Sequence, residues 1–159
     1  MKQSTNIELS NGVTVPHVPG QPPDPPDPDR IVCRTALFDT TWPKPATAIV
    51  AGHGELDAAN GIKFVDYALR HAATTQWLVI DFSGLTFFST AGFSALHTLN
   101  VQCVGRDIRW ALVPGRAVKR VLGICDPDSA LPISLDIPAA LNDVQQDPPH
   151  SFQLIPQTR

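Results

Sequence analysis

The stretch Trp77–Asn100, WLVIDFSGLTFFSTAGFSALHTLN, decides how this chain is read. Trp77-Leu78-Val79-Ile80 is an unbroken apolar run, the composition a strand needs when both of its faces are buried. Asp81-Phe82-Ser83-Gly84 interrupts the run with turn-forming residues, and Phe87-Phe88 restores its apolar character. Ser89-Thr90-Ala91-Gly92 then hands the chain to an amphipathic helix predicted over Ala91–Val104. Phe93, Leu96, Leu99 (or Asn100) and Cys103 mark its buried stripe, and Gly105 stands where a helix-ending glycine belongs. A pair of hydroxyls at the start of a helix, just beyond a buried strand, is a place where a phosphate can be held or installed.

Upstream, Ile31–Phe38 reads as a first strand at a sheet edge, Thr41–Pro45 as a turn, and Ala46–Gly52 as a second strand. His53-Gly54-Glu55-Leu56-Asp57 follows as a loop, with Asp57 as N-cap of a helix over Ala58–His71. Ile62, Val65, Leu69 and Ala72 give that helix one apolar stripe, with Lys63, Asp66 and Arg70 opposite; Asn60-Gly61 weakens its first turn. Downstream, Asp107–Val113 alternates as a strand, and Pro114-Gly115 turns the chain into a helix with Val118, Val121 and Leu122 inward and Arg116, Lys119 and Arg120 outward. Ile133–Leu135 is a short strand, and Pro138 opens a last helix through Val144. Helices between single strands predict an α/β domain, a mixed, mostly parallel sheet of four to five strands with about four helices.

The ends differ from this core. Seven of the thirteen residues from Pro16 to Pro28 are proline, Asp24 and Asp27 break up the tract, and Asp29 follows it. Proline fixes φ and removes the backbone donor, so residues 1–30 are expected to be an extended, disordered arm or linker rather than part of the core. Residues 31–145 form the domain, and 146–159 a tail.

Composition narrows the function classes. The chain has 159 residues, 43% of them hydrophobic, enough for one real core. A net charge of −3 with scattered cations argues against nucleic acid as the main partner, since phosphate-backbone binding needs a clustered positive surface. Cys33, Cys103 and Cys125 are widely spaced and form no C-x-x-C pair, which fits reduced thiols rather than a disulfide framework or zinc ribbon. The first residues show no secretory signal and no stretch is long and apolar enough to span a bilayer, so a cytoplasmic protein without a membrane partner is expected. His53, Glu55 and Asp57 lie close in sequence, but no second ligand cluster accompanies them, and capping explains them better than a metal. There is no G-x-S-x-G elbow for a hydrolase triad and no phosphate-binding glycine loop for a nucleotide, so neither an enzyme nor a cofactor is implied.

Three motifs together resemble a known family. Gly54-Glu55-Leu56-Asp57 before a helix, VIDFSGLTFFSTAG over Val79–Gly92, and VPGRAVKRVLGICDPDSALPIS over Val113–Ser134 are similar, in that order, to the STAS domain of bacterial anti-sigma factor antagonists. The resemblance covers roughly residues 31–145. It implies the STAS fold and a non-enzymatic role in partner switching. In that scheme the unphosphorylated domain binds an anti-sigma factor, a serine kinase of the histidine-kinase-like ATPase type, and so frees a sigma factor. Phosphorylation of a serine at the start of the second helix ends the association. A dianion there adds about −1.5 to −2 charges to a surface that docked as a neutral one.

This chain departs from the family at that position. Gly92 matches the family glycine, Ala91 stands in the place of the acceptor serine, Thr90 matches the serine before it, and Ser89 replaces an aspartate. Three readings follow: the switch is absent, Thr90 (or, failing that, Ser89) is the acceptor, or the hydroxyls only cap the helix. The partner-binding surface expected from the resemblance comprises Asp57, Ser89, Thr90, Ala91, Gly92, Phe93 and Leu96, with Arg116, Lys119 and Arg120 either a solvated face or an electrostatic rim. A STAS scaffold that assembles with other STAS proteins and a small-molecule-sensing STAS domain are the alternatives.

Overall fold

The computed structural model describes residues 29–146 in full and, before them, the backbone of two short strands. These are β1 (Thr5–Glu8) and β2 (Thr14–His17), which pair antiparallel as a two-stranded sheet of their own. The rest of the proline-rich arm and the tail beyond residue 146 lie outside the described residues.

The domain is built on a five-stranded sheet of β3 (Arg30–Cys33), β4 (Ala36–Lys44), β5 (Thr47–Leu56), β6 (Trp77–Phe88) and β7 (Arg109–Val113), adjacent in that order. The first two ladders are antiparallel and the last two parallel, so the sheet is mixed, and parallel only in its second half. Helices α1 (Gly61–Ala68), α2 (Thr90–Gly105), α3 (Gly115–Cys125) and α4 (Ile137–Gln145) connect or follow the strands. Residues 133–135 form no strand; Ile133 makes an isolated parallel bridge to Leu112.

Several strand boundaries differ from the sequence expectation; His53–Leu56, expected as a loop, continues β5 alongside Gly84–Phe88. The expected first strand is a hairpin, because Arg34 takes a left-handed φ of 57° and lets Cys33 pair with Ala36. Thr41–Lys44, expected as a turn, continues β4; Pro43 falls within a register shift between Thr41 and Lys44, where a missing N–H costs the ladder nothing. Asp81–Gly84, also expected as a turn, is the middle of a twelve-residue β6. Asp81 accepts the N–H and the hydroxyl of Ser83 there, and the pairing with β5 shifts register between Ala51 and His53.

The sheet buries its two faces unequally. The larger core, with Phe38, Phe64, Phe82, Leu78, Ile80, Leu96 and Leu112, lies under α1, α2 and α3, and the rings of Phe38, Phe64, Phe82 and Phe88 form a connected series. A smaller cluster of Val79, Ala111, Val113, Ala140 and Val144 lies under α4. Helix α1 is shorter than expected and rotated: Phe64, Val65 and Tyr67 point inward, while Ile62 is 64% exposed. Tyr67 also holds the point where the arm enters the domain. Its hydroxyl donates to the Asp29 carbonyl and shares a hydrogen bond with Thr40, while Arg70 stacks on its ring at 3.9 Å and pairs with the Asp29 carboxylate at 2.7 Å.

Candidate functional site

The parallel strands β5 and β6 end side by side, Leu56 opposite Phe88, and the Ser89 N–H donates to the Leu56 carbonyl at 3.1 Å. The loop before α1 and the first turn of α2 are thereby delivered to the same end of the sheet. The carboxyl ends of parallel strands are where α/β sheets most often place a binding site.

Glycine explains why the first of these chain segments must begin as it does. Gly54 has a φ of +86°, and a Cβ there would stand 2.1 Å from the Thr35 carbonyl oxygen. No other residue fits beside the β3–β4 turn at that separation. Two residues later the chain leaves the sheet and Asn60 takes charge of the loop. Its buried side chain accepts the Asp57 N–H at 3.0 Å and donates to the carbonyls of Glu55 (2.9 Å) and Cys33 (3.3 Å). In the sequence the only signal for this role is an Asn-Gly pair after an aspartate, which by itself reads as a weak first turn of a helix.

Asp57 is half-buried and does not cap α1, in contrast to the expectation. Its carboxylate accepts the Ala59 N–H at 2.8 Å and its carbonyl accepts the Gly61 N–H at 2.9 Å, so the helix starts at Gly61 after an extra turn. His53, close in sequence to Glu55 and Asp57, lies 3.4 Å from the Asp39 carboxylate.

At the second segment the expected hydroxyl pair separates into two roles. Ser89 is extended and half-buried, and its Oγ accepts the Gly92 N–H at 3.3 Å, which makes it the N-cap. Thr90 is the first helical residue and is exposed; its carbonyl accepts the Ser94 hydroxyl at 3.3 Å, and its own hydroxyl makes no hydrogen bond among the described residues. Ala91 is half-buried, facing the start of α1 across Gly61, whose Cβ would lie 3.5 Å from the Ala91 carbonyl oxygen. Gly92 is buried, and a Cβ there would lie 2.6 Å from the Phe88 ring. Phe93 is half-buried against the core.

Leu96 requires a correction. It is 0% exposed and belongs to the main core with Leu99 and Cys103, so it supports α2 from beneath and offers nothing to a partner. Its helical spacing from Phe93 put both on one stripe, and the structure brings only the first of them to the surface edge. The end of α2 also differs from expectation: Gly105 is its last helical residue, and the left-handed φ of 57° falls on Asp107 instead. Burial pushes the Cys103 thiol up to about 12, so this cysteine stays protonated and inert within the helix.

A model of the STAS domain matches residues 43–140. The chain belongs to the STAS family. The match omits β3 and most of β4, the antiparallel hairpin at one edge of this STAS domain. Osmosensory protein A of Mycobacterium tuberculosis is 36% identical over 100 residues, 60% of this chain and 63% of that protein, so the chain spans less than two thirds of that relative. The anti-sigma-F factor antagonist RsfA of the same species is 30% identical over 111 residues, 67% of this chain and 87% of RsfA. The crystal structure of an anti-sigma factor antagonist from Mycobacterium paratuberculosis superposes with a TM-score of 0.62 and 20% identity, over 76% of this chain and 98% of that one, a likeness of fold. Among the described residues, no helix of the domain is long and apolar enough to cross a membrane.

Proposed function

We propose that this STAS domain is a non-enzymatic, cytoplasmic anti-sigma factor antagonist: it binds an anti-sigma factor of the serine-kinase type through the start of α2 and the neighbouring Asp57–Asn60 loop, and so releases a sigma factor for transcription. The observation that carries the reading is the exposed first turn of α2 at the paired ends of β5 and β6, in a chain 30% identical to an anti-sigma-F factor antagonist over most of that protein's length. Asp57, Ser89, Thr90, Ala91 and Phe93 present the contact surface, and Gly92 fixes the helix beneath it. The arm that precedes Asp29 and Arg30, and the tail that follows α4, serve outside the binding domain.

The same surface carries the control. Ala91 has no hydroxyl to phosphorylate, and the Ser89 hydroxyl is committed to the cap. Thr90 has an exposed hydroxyl beside the free N–H groups of a helix start, where a dianion is favoured without unfolding the domain. Thr90 is therefore the phosphoacceptor, and its modification ends partner binding. Incubating the protein with candidate anti-sigma kinases and ATP tests this by intact mass: one added phosphate, absent in Thr90→Ala, is expected, and a phosphate that survives in the variant rules Thr90 out.

The likeness to osmosensory protein A favours a second reading of the input, in which the domain relays an osmotic signal. Comparing partner binding in cells before and after an osmotic upshift separates that input from others.

A further inference from the structure

Strand β6 is longer than the strand beside it. Strand β7 pairs with it only from Trp77 to Asp81, whereas β5 follows it to Phe88. From Phe82 onward the second edge of β6 has no strand partner among the described residues, and α3 lies against it instead. Gly115 sets how close the helix comes. At a φ of +71° its Cβ would stand 2.6 Å from the Ser83 Cα, so only glycine lets α3 start against the strand backbone.

Further along, the space between strand and helix is an open groove of about 380 Å³, with Leu85, Phe87 and Phe88 on the strand side and Arg116, Ala117 and Arg120 on the helix side. Its charge has one sign. Arg116 and Arg120 are exposed one helical turn apart, no acidic residue lines the groove, and neither arginine forms an ion pair among the described residues. Phe87 is 48% exposed, although Leu85 and Phe88 on either side of it are buried. On a chain with a net charge of −3, unpaired guanidinium groups beside an exposed ring and an open strand edge make a local exception.

Each of these parts recognises something different. An open strand edge accepts the backbone of an extended segment. Guanidinium groups take carboxylates through two parallel N–H···O bonds. An exposed aromatic ring gains most by covering an apolar side chain. We propose that the groove between β6 and α3 docks an extended acidic segment of the protein partner, with its carboxylates on Arg116 and Arg120 and an apolar side chain on Phe87. The proposal rests on the partner-binding reading above and deepens it. The groove is lined at one end by Phe88, the residue directly before the Ser89 cap of α2, so it is next in the chain to the proposed contact surface.

Two measurements test it separately from that reading. In the first, the amide spectrum of the isotope-labelled chain is followed during titration with a short glutamate-rich peptide carrying one leucine. Shifts confined to Leu85–Phe88 and Gly115–Arg120 are expected, weakening as ionic strength rises from about 0.05 to about 0.3 M. They should disappear in an Arg116→Glu/Arg120→Glu variant with an unchanged Tm. The same shifts with a lysine-rich peptide, or none with either, overturn the proposal. So does binding to anionic phospholipid vesicles through the two arginines without any peptide response, which would make the groove a lipid contact. In the second, the anti-sigma partner is titrated against wild type, the double variant and Phe87→Ser. A loss of at least about tenfold for the double variant and a smaller loss for Phe87→Ser are expected. Equal affinity for all three overturns the groove while leaving the antagonist role intact. Peptide shifts without binding of any anti-sigma factor do the reverse.

Discussion

Helices α1 and α2 begin at the same end of the sheet, each just beyond one of two paired parallel strands, and they begin in opposite ways. Before α1 the polar side chain turns inward. Asn60 is buried, makes three hydrogen bonds to the backbone of its own loop and of the β3–β4 hairpin, and leaves the helix without a side-chain cap. Before α2 the Ser89 hydroxyl caps its own helix, and the next residue, Thr90, faces solvent. The first junction fixes the frame and the second presents a surface. Substitutions that break the frame should therefore cost stability, and those that change the presented residue should cost binding alone.

The largest expected effect is at Asn60. Asn60→Ala removes the buried partner of the Asp57 N–H and of the Glu55 and Cys33 carbonyls and should destabilise the domain by about 2–4 kcal/mol, read as a fall in the urea midpoint. A loss below about 1 kcal/mol would mean that the loop is held by something else. Gly92→Ala comes next. The added Cβ meets the Phe88 ring, which is itself held in the core, so a cost of about 1–2 kcal/mol is expected even after the gain in helix propensity.

The buried face of α2 sharpens the contrast through pH. In the folded chain Cys103 is raised from an ordinary 9.0 to about 12, so the unfolded chain loses that proton first. Stability is then full below the ordinary thiol pKa and falls across the window up to the folded value, by at most about 1.4 kcal/mol per pH unit. Tyr67, also raised by burial, adds to the alkaline slope. The difference in slope between wild type and Cys103→Ala isolates the thiol, and equal slopes would contradict its burial. Ser89→Ala removes the cap of α2 and should cost about 1 kcal/mol of stability.

Much of this was legible in the sequence because periodicity reports burial. The α2 stripe, the alternation of β7 and the inward Val118 and Leu122 of α3 were found by it, and the order of the motifs led to the family. The misreadings share a cause: local residue type was overruled by pairing partners far away in the chain. Asp81-Phe82-Ser83-Gly84 reads as a turn by itself, yet β5 runs alongside and holds it as strand. Pro43 reads as a terminator, yet it falls where the ladder shifts register. In α1 the stripe through Ile62 left Phe64 and Tyr67, its largest side chains, without a place, and the core claimed both. At the site, the alanine in the acceptor's place was visible in the sequence. The division of labour between Ser89 and Thr90 was not, because it depends on where the helix starts.

The most direct test of the account is a pair of titrations of the anti-sigma partner against wild type and Thr90→Glu, with thermal unfolding of both. The account predicts that wild type binds, that Thr90→Glu binds at least about tenfold more weakly, and that the two unfold within about 0.5 kcal/mol of each other. Equal affinity for both proteins, at equal stability, would contradict the claim that the start of α2 is the regulated binding surface.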